Sequence, residues 1–197
     1  DRNLHLSIRR QRQMGIRDRG GTTGAASAST VVGNLALVNA WSGDYPEALR
    51  LFREAIASMD KAGVPADDAM RRVNERNHAS ALILAGDYPK AKSELSRLRQ
   101  RAREVDGMDS NEYLQTTIRL AMLARRMRDP AAGQPLLDEA KRLLDRKAPN
   151  PGPLAITALR TQAALSRMRG DLDEAERAQR EALAQLAAGT KLAEADA

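Results

Sequence analysis

The 197 residues contain no cysteine, which removes disulfides, thiolate zinc sites, iron–sulfur clusters and a cysteine nucleophile together. Aromatics are scarce, with one Trp, three Tyr and one Phe. That scarcity deprives the chain of the packing residues of pleated sheets and of platforms for stacking nucleic-acid bases. Histidine occurs only as His5 and His78, and neither stands at a metal-ligand spacing from other ligands. No apolar run reaches the ~18 residues of a membrane span, and no signal-peptide core is visible, so the sequence reads as that of a cytoplasmic protein. What remains is a 42% hydrophobic content drawn mostly from Ala, Leu, Met and Ile, which favours an all-α protein.

Charge is unevenly spread. Of the net +6, the first 24 residues carry +4, from Arg2, Arg9, Arg10, Arg12, Arg17 and Arg19 against Asp1 and Asp18. Only six of the 32 basic residues are lysine, and this arginine and alanine bias is what a GC-rich, bacterial coding sequence imposes.

Comparing the sequence with itself reveals a repeat. The segments GDYPEAL (43–49), GDYPKAK (86–92), RDPAAGQ (128–134) and GDLDEAE (170–176) set aspartates at Asp44, Asp87, Asp129 and Asp171, with spacings of 43, 42 and 42. A small residue follows each turn (Ala48, Ala91, Gly133, Ala175), another precedes it by twelve (Ala36, Ala79, Ala121, Ala163), and seven residues beyond it come Ala55, Leu98, Ala140 and Ala182. Two antiparallel helices approach closely only where their facing side chains are short, so each unit reads as helix, tight turn, helix. The aspartate suits an N-cap, and Pro46 and Pro89 fall in a first turn, where no N–H is missed.

The expected helices are 26–42, 46–62, 67–85, 89–105, 111–128, 134–147, 153–169 and 173–188. They form four hairpins at about 25–63, 67–106, 110–148 and 153–188 within a region 21–188, followed by a disordered tail at 189–197. In the third unit Gly133 and Pro135 predict a late start or a kink. Shifted by 43, Asp1 aligns with Asp44 and Leu6 with Leu49, so 1–20 reads as the second helix of an incomplete upstream repeat. The chain is then expected to be a piece of a larger protein.

This pattern of small residues around a GDY turn resembles the tetratricopeptide repeat, over about 24–188. The 42–43-residue period exceeds the family's usual ~34 and is similar to the long-helix arrays of kinesin light chains and bacterial tetratricopeptide regulators. The turn favours this family over an armadillo or HEAT array. The resemblance implies a right-handed α-solenoid with first helices lining a concave face, and a scaffold or regulatory domain for protein–protein interaction. Carried onto this sequence, the groove would present Asn34, Leu37 and Trp41, then Arg76, Asn77 and Ser80, then Arg119, Met122 and Arg125, then Arg160 and Arg167. In the family an asparagine at the place of Asn34 and Asn77 holds a peptide backbone, using an amide that both donates and accepts. The arginines are suited to forking onto acidic side chains or a C-terminal carboxylate.

Each residue also has a plainer role: an arginine on a first helix can be a solvated side chain, Trp41 a packing residue, and His78 and the methionines parts of the core. Nothing supports catalysis or a cofactor. GGTTG (20–24) lacks the lysine of a phosphate loop, and acidic pairs such as Asp173–Glu174 are accounted for by a helix N-terminus. Two alternatives stand beside the peptide groove: nucleic-acid binding through the arginine-rich 4–19, and self-association through an apolar stripe of Leu4, Leu6, Ile8, Met14 and Ile16.

Overall fold

The four turn aspartates do the same work in the computed structural model of the chain. The Asp44 carboxylate accepts from the Glu47 N–H at 3.2 Å, Asp87 from Lys90 at 3.4 Å, Asp129 from Ala132 at 2.9 Å and Asp171 from Glu174 at 3.1 Å. Each bond satisfies one of the N–H groups that the start of a helix leaves without an intrahelical acceptor. Three of these aspartates also close the preceding helix, because the N–H groups of Asp44, Asp129 and Asp171 reach back to the carbonyls of Asn39, Ala124 and Ser166, all at 2.9 Å. That closure requires a left-handed residue just before the aspartate. Gly43 (φ 87°), Gly86 (φ 81°) and Gly170 (φ 84°) supply it in three turns, and Arg128 (φ 57°) in the fourth.

The structure describes residue 24 and residues 27–147 and 152–195, with side chains for all but residue 147 and residues 189–195. Among the described residues there are eight helices and no strand. They are α1 (27–42), α2 (Tyr45–Lys61), α3 (Ala69–Ala85), α4 (Tyr88–Val105), α5 (Asn111–Arg126), α6 (Pro130–Lys147), α7 (Gly152–Arg169) and α8 (Leu172–Ala195). The expected upstream helix at 1–20 and its arginines lie outside the described residues.

The chain divides into two compact units between Gly86 and Asp87. In the first, α1, α2 and α3 gather around Ala36, Leu51, Phe52 and Ala81, with Val32, Leu37 and Leu49 packed against them. The Ser29 hydroxyl donates to the Ala55 carbonyl at 3.1 Å, tying α1 to α2, and His78 meets Phe52 edge-on with ring centroids 6.3 Å apart. His78 is therefore a core residue. Gly33 is buried beneath Asn74, whose side-chain oxygen stands 2.1 Å from where a Cβ would be, so this glycine belongs to the packing of α1 on α3 and not to an open face.

The second unit packs α4 through α7 around Tyr113, Leu114, Ile118, Ala121, Ala140 and Leu165, and α8 lies against α7. Every small residue that marks the repeat is buried in its own unit. Ala36, Ala79 and Ala121 are fully enclosed, and Ala163 nearly so.

Three expectations are corrected. Helix α6 does not start late at 134 but at Pro130, where the Asp129 cap and a proline with preset φ make a helix start as good as those at Pro46 and Pro89. Pro135 then lies inside α6. Helix α8 continues through 189–195 to Ala195, where a disordered tail was expected; Gly189 costs a helix only about 1 kcal/mol, and the flanking alanines and leucines are strong helix formers. Helix α3 begins at Ala69, two residues after the expected 67, because Asp68 is its cap, accepting from Met70 and Arg71 at 2.9 and 3.0 Å.

Candidate functional site

Five of the sequence-derived site residues lie in the second unit, on α5 and α7. Arg125 is half-buried in the last turn of α5, and Arg160 and Arg167 are exposed on α7. With Arg126 and Arg128 they make a cluster of five guanidinium groups. Arg125, Arg126, Arg128 and Arg167 line a cavity of about 500 Å³ with Ala164 and Met168, and no carboxylate stands among these lining residues. Burial first, and repulsion from Arg126, Arg160 and Arg167 second, pull the Arg125 guanidinium below the ordinary arginine range. Its Nε–H is enclosed without an acceptor among the described residues.

The other two residues of this unit are placed differently. Met122 is packed against the core, and an Arg119 Nη donates to the Gln115 carbonyl of its own helix at 3.4 Å.

In the first unit Asn34 and Trp41 are exposed on α1, Trp41 at 77%. They share that helix with exposed Val31, Leu35 and Val38. Leu37 packs on the core instead. Arg76 is buried, Asn77 is half-buried, and the Ser80 hydroxyl donates to the Arg76 carbonyl at 2.9 Å. Leu37, Met122 and the buried Arg76 are thus parts of the packing more than of an open surface.

A second polar cluster was not foreseen. Arg99 on α4 donates to the Thr117 hydroxyl at 3.0 Å, to the Tyr113 hydroxyl at 2.7 Å and to the Glu139 carboxylate at 2.5 Å, while Tyr113 donates to Glu139 at 2.7 Å. The Arg99 guanidinium also lies 4.8 Å from the centre of the Tyr113 ring. With every member supplied with partners, this cluster pins α4, α5 and α6 together and leaves nothing poised for chemistry. Among the described residues no group of three or more His, Cys, Asp or Glu side chains is placed to hold a metal, and no helix is long and apolar enough to cross a membrane.

Residues 30–59 match the family model described as Tetratricopeptide repeat. The fold is similar to the crystal structure of BtubC (BKLC) from P. vanneervenii, with a TM-score of 0.67 and 16% sequence identity over 82% of this chain. Residues 30–59 thus read as a tetratricopeptide repeat, and the chain has the fold of such repeats. It spans 64% of the length of that structural neighbour, and no curated protein matches it. The fold class is accordingly all-α, a solenoid of tetratricopeptide type. Domains of this family are in general protein–protein interaction scaffolds and typically lack catalysis.

Within the tetratricopeptide register Arg128 stands out. It occupies the position filled by glycine in the other three turns, and its side chain lines the arginine cavity. Sequence reasoning did not place it in the site, although a signal was present: the third turn reads RDP where the others read GDY or GDL. Arg126 falls on the inner face that the resemblance implies for the third unit. Its position directly after Arg125 in the last turn of α5 brings it to the same cavity.

Proposed function

We propose that this tetratricopeptide domain is a non-catalytic interaction module, belonging to a larger cytoplasmic and bacterial protein, that binds an acidic segment of a protein partner. The observation that carries the proposal is the gathering of Arg125, Arg126, Arg128 and Arg167 around one cavity, with Arg160 near enough to repel Arg125 and no carboxylate among the described lining residues. Five like charges held together repel one another, and an anionic ligand relieves that repulsion while accepting forked hydrogen bonds. In the first unit, taken by itself, Asn34 and Trp41 on α1 and Asn77 on α3 would offer a separate peptide contact, the asparagines to a backbone and Trp41 to an apolar side chain. Partner binding would be the regulatory act.

Fluorescence anisotropy with a labelled glutamate-rich peptide tests this. Replacing Arg160 and Arg167 by Ala should weaken binding by about 1.5–3 kcal/mol for each charged hydrogen bond lost. Unchanged affinity in the double arginine variant would refute the assignment. If instead Arg9, Arg10 and Arg12 control binding to a DNA duplex, with a logarithmic salt slope of about −0.9 per phosphate contacted, the nucleic-acid alternative holds.

Self-association is a second reading, supported by the exposed Val31, Leu35, Val38 and Trp41 along α1. Sedimentation of the wild type and Trp41→Ser over a hundredfold dilution decides it. A monomer at every concentration would exclude it.

A further inference from the structure

The turn between α5 and α6 breaks the rule that the other three turns obey. A left-handed residue is required there, and an arginine is held at φ 57° where Gly43, Gly86 and Gly170 stand in the equivalent turns. Strain of this kind persists where the side chain is put to use. The Arg128 side chain lines the same cavity as Arg125, Arg126 and Arg167.

Arginines in last turns commonly offset helix dipoles, and Arg125, Arg126 and Arg167 stand in the last turns of α5 and α7. Each helix end presents only about half a negative charge, so the two together account for about one guanidinium and leave the others in excess. Arg169, the remaining arginine of that turn, is committed elsewhere, donating to the Gln134 side-chain oxygen and the Ser166 hydroxyl.

The excess matches one ligand chemistry better than the rest. A single carboxylate carries one charge and is satisfied by one or two forked arginines. A phosphoryl group on a side chain carries about −1.5 to −2 at pH 7, with three strong acceptor oxygens, which suits three or four guanidiniums around one centre. A cavity of about 500 Å³ holds such a head group, whereas a nucleic-acid backbone needs a run of positive charge and stacking surfaces, and no aromatic lines this site.

Resting on the reading of this cluster as an acidic-peptide site, we infer that the cavity receives a phosphorylated side chain of the protein partner, gripped by Arg125, Arg126, Arg128 and Arg167. Phosphorylation of the partner would then switch its capture on.

The test uses one acidic peptide, Gly-Ala-Glu-Asp-Xaa-Asp-Glu-Ala-Gly, with phosphoserine, glutamate or serine at Xaa, titrated by calorimetry into the whole chain. The phosphoserine peptide should bind about tenfold more tightly than the glutamate peptide, as expected for one additional charged hydrogen bond. That advantage should grow between pH 5 and pH 7.5, because the second phosphate proton leaves near pH ~6 while the arginines stay charged. Arg128→Gly restores the residue the turn prefers, so it keeps the fold; it should weaken the glutamate peptide and weaken the phosphoserine peptide about tenfold more, so that the phosphoserine advantage disappears.

Equal affinity for phosphoserine and glutamate would overturn the phosphoryl inference and leave the acidic-peptide reading standing. No binding of any of the three peptides would overturn both. A phosphoserine advantage that survives in Arg128→Gly and in Arg125→Ala/Arg167→Ala would place the phosphate elsewhere and overturn this site. Tighter binding of a poly-uridine oligonucleotide, lost in the same variants, would assign the cavity to nucleic acid instead.

Discussion

The backbone N–H of Arg128 donates to the carbonyl of Arg125 at 3.2 Å, and this one turn sends both side chains to the same cavity. Its left-handed backbone has a thermodynamic signature that is separate from binding. An L-residue in this region costs about 1–2 kcal/mol, while glycine loses roughly 0.5–1 kcal/mol more conformational entropy on folding. The difference leaves Arg128→Gly neutral to about 1.5 kcal/mol more stable, and separation from neighbouring guanidiniums adds to the gain. Urea denaturation of the two proteins measures this. A variant less stable than wild type would mean that Arg128 supports the fold and that its backbone is not strained by function.

Gly133 offers the opposite case. A Cβ built there would stand 2.5 Å from Leu165 Cδ1 and 3.2 Å from Ala124 Cβ, although φ is ordinary and the residue is helical. Alanine would add about 1 kcal/mol of helix propensity, but Leu165 is fully enclosed and has little room to yield. Overpacking costs about 1–3 kcal/mol, so Gly133→Ala should lose about 1 kcal/mol net. A double-mutant cycle with Leu165→Val should show favourable coupling, because the shorter side chain vacates the contested space. Additive effects would mean that the contact is relieved in some other way.

These two positions show what the sequence could and could not reveal. The aspartate caps and buried alanines were legible because each is a local rule repeated four times, and repetition separates a rule from chance. Gly133 aligned with Ala48, Ala91 and Ala175, but sequence alone weighed it as a helix breaker; only the nearness of Leu165 shows that the close approach demands a residue smaller than alanine. Arg128 was hidden for the converse reason. Sequence reasoning reads arginine as a solvated side chain, and the positive φ that makes this one exceptional is a property of the folded turn. Leu37 and Met122, assigned to the groove, are half-buried and also pack on the core, because a helical period fixes a face only to within about one residue.

The cluster of Arg99, Tyr113 and Glu139 yields a pH dependence whose sign is fixed by its geometry. Burial first, and the hydrogen bond to Glu139 second, hold the Tyr113 phenol above its ordinary value of 10.0, because a phenolate would sit beside the Glu139 carboxylate. A group whose pKa is raised on folding stabilises the native state below its unfolded value, and that contribution is lost as pH rises through the folded value. At pH 8, Tyr113→Phe should therefore cost about 1 kcal/mol for the lost hydrogen bonding. Between pH ~10 and the higher folded value the wild type alone loses stability by this route, so the gap between the two proteins should narrow. Denaturant unfolding of both proteins at pH 8, 10 and 11 reads the gap directly, with all other titrating groups common to the pair. A gap that stays constant would show that folding does not raise the Tyr113 pKa, and one that widens that the neighbouring Arg99 guanidinium outweighs burial and Glu139 and lowers it.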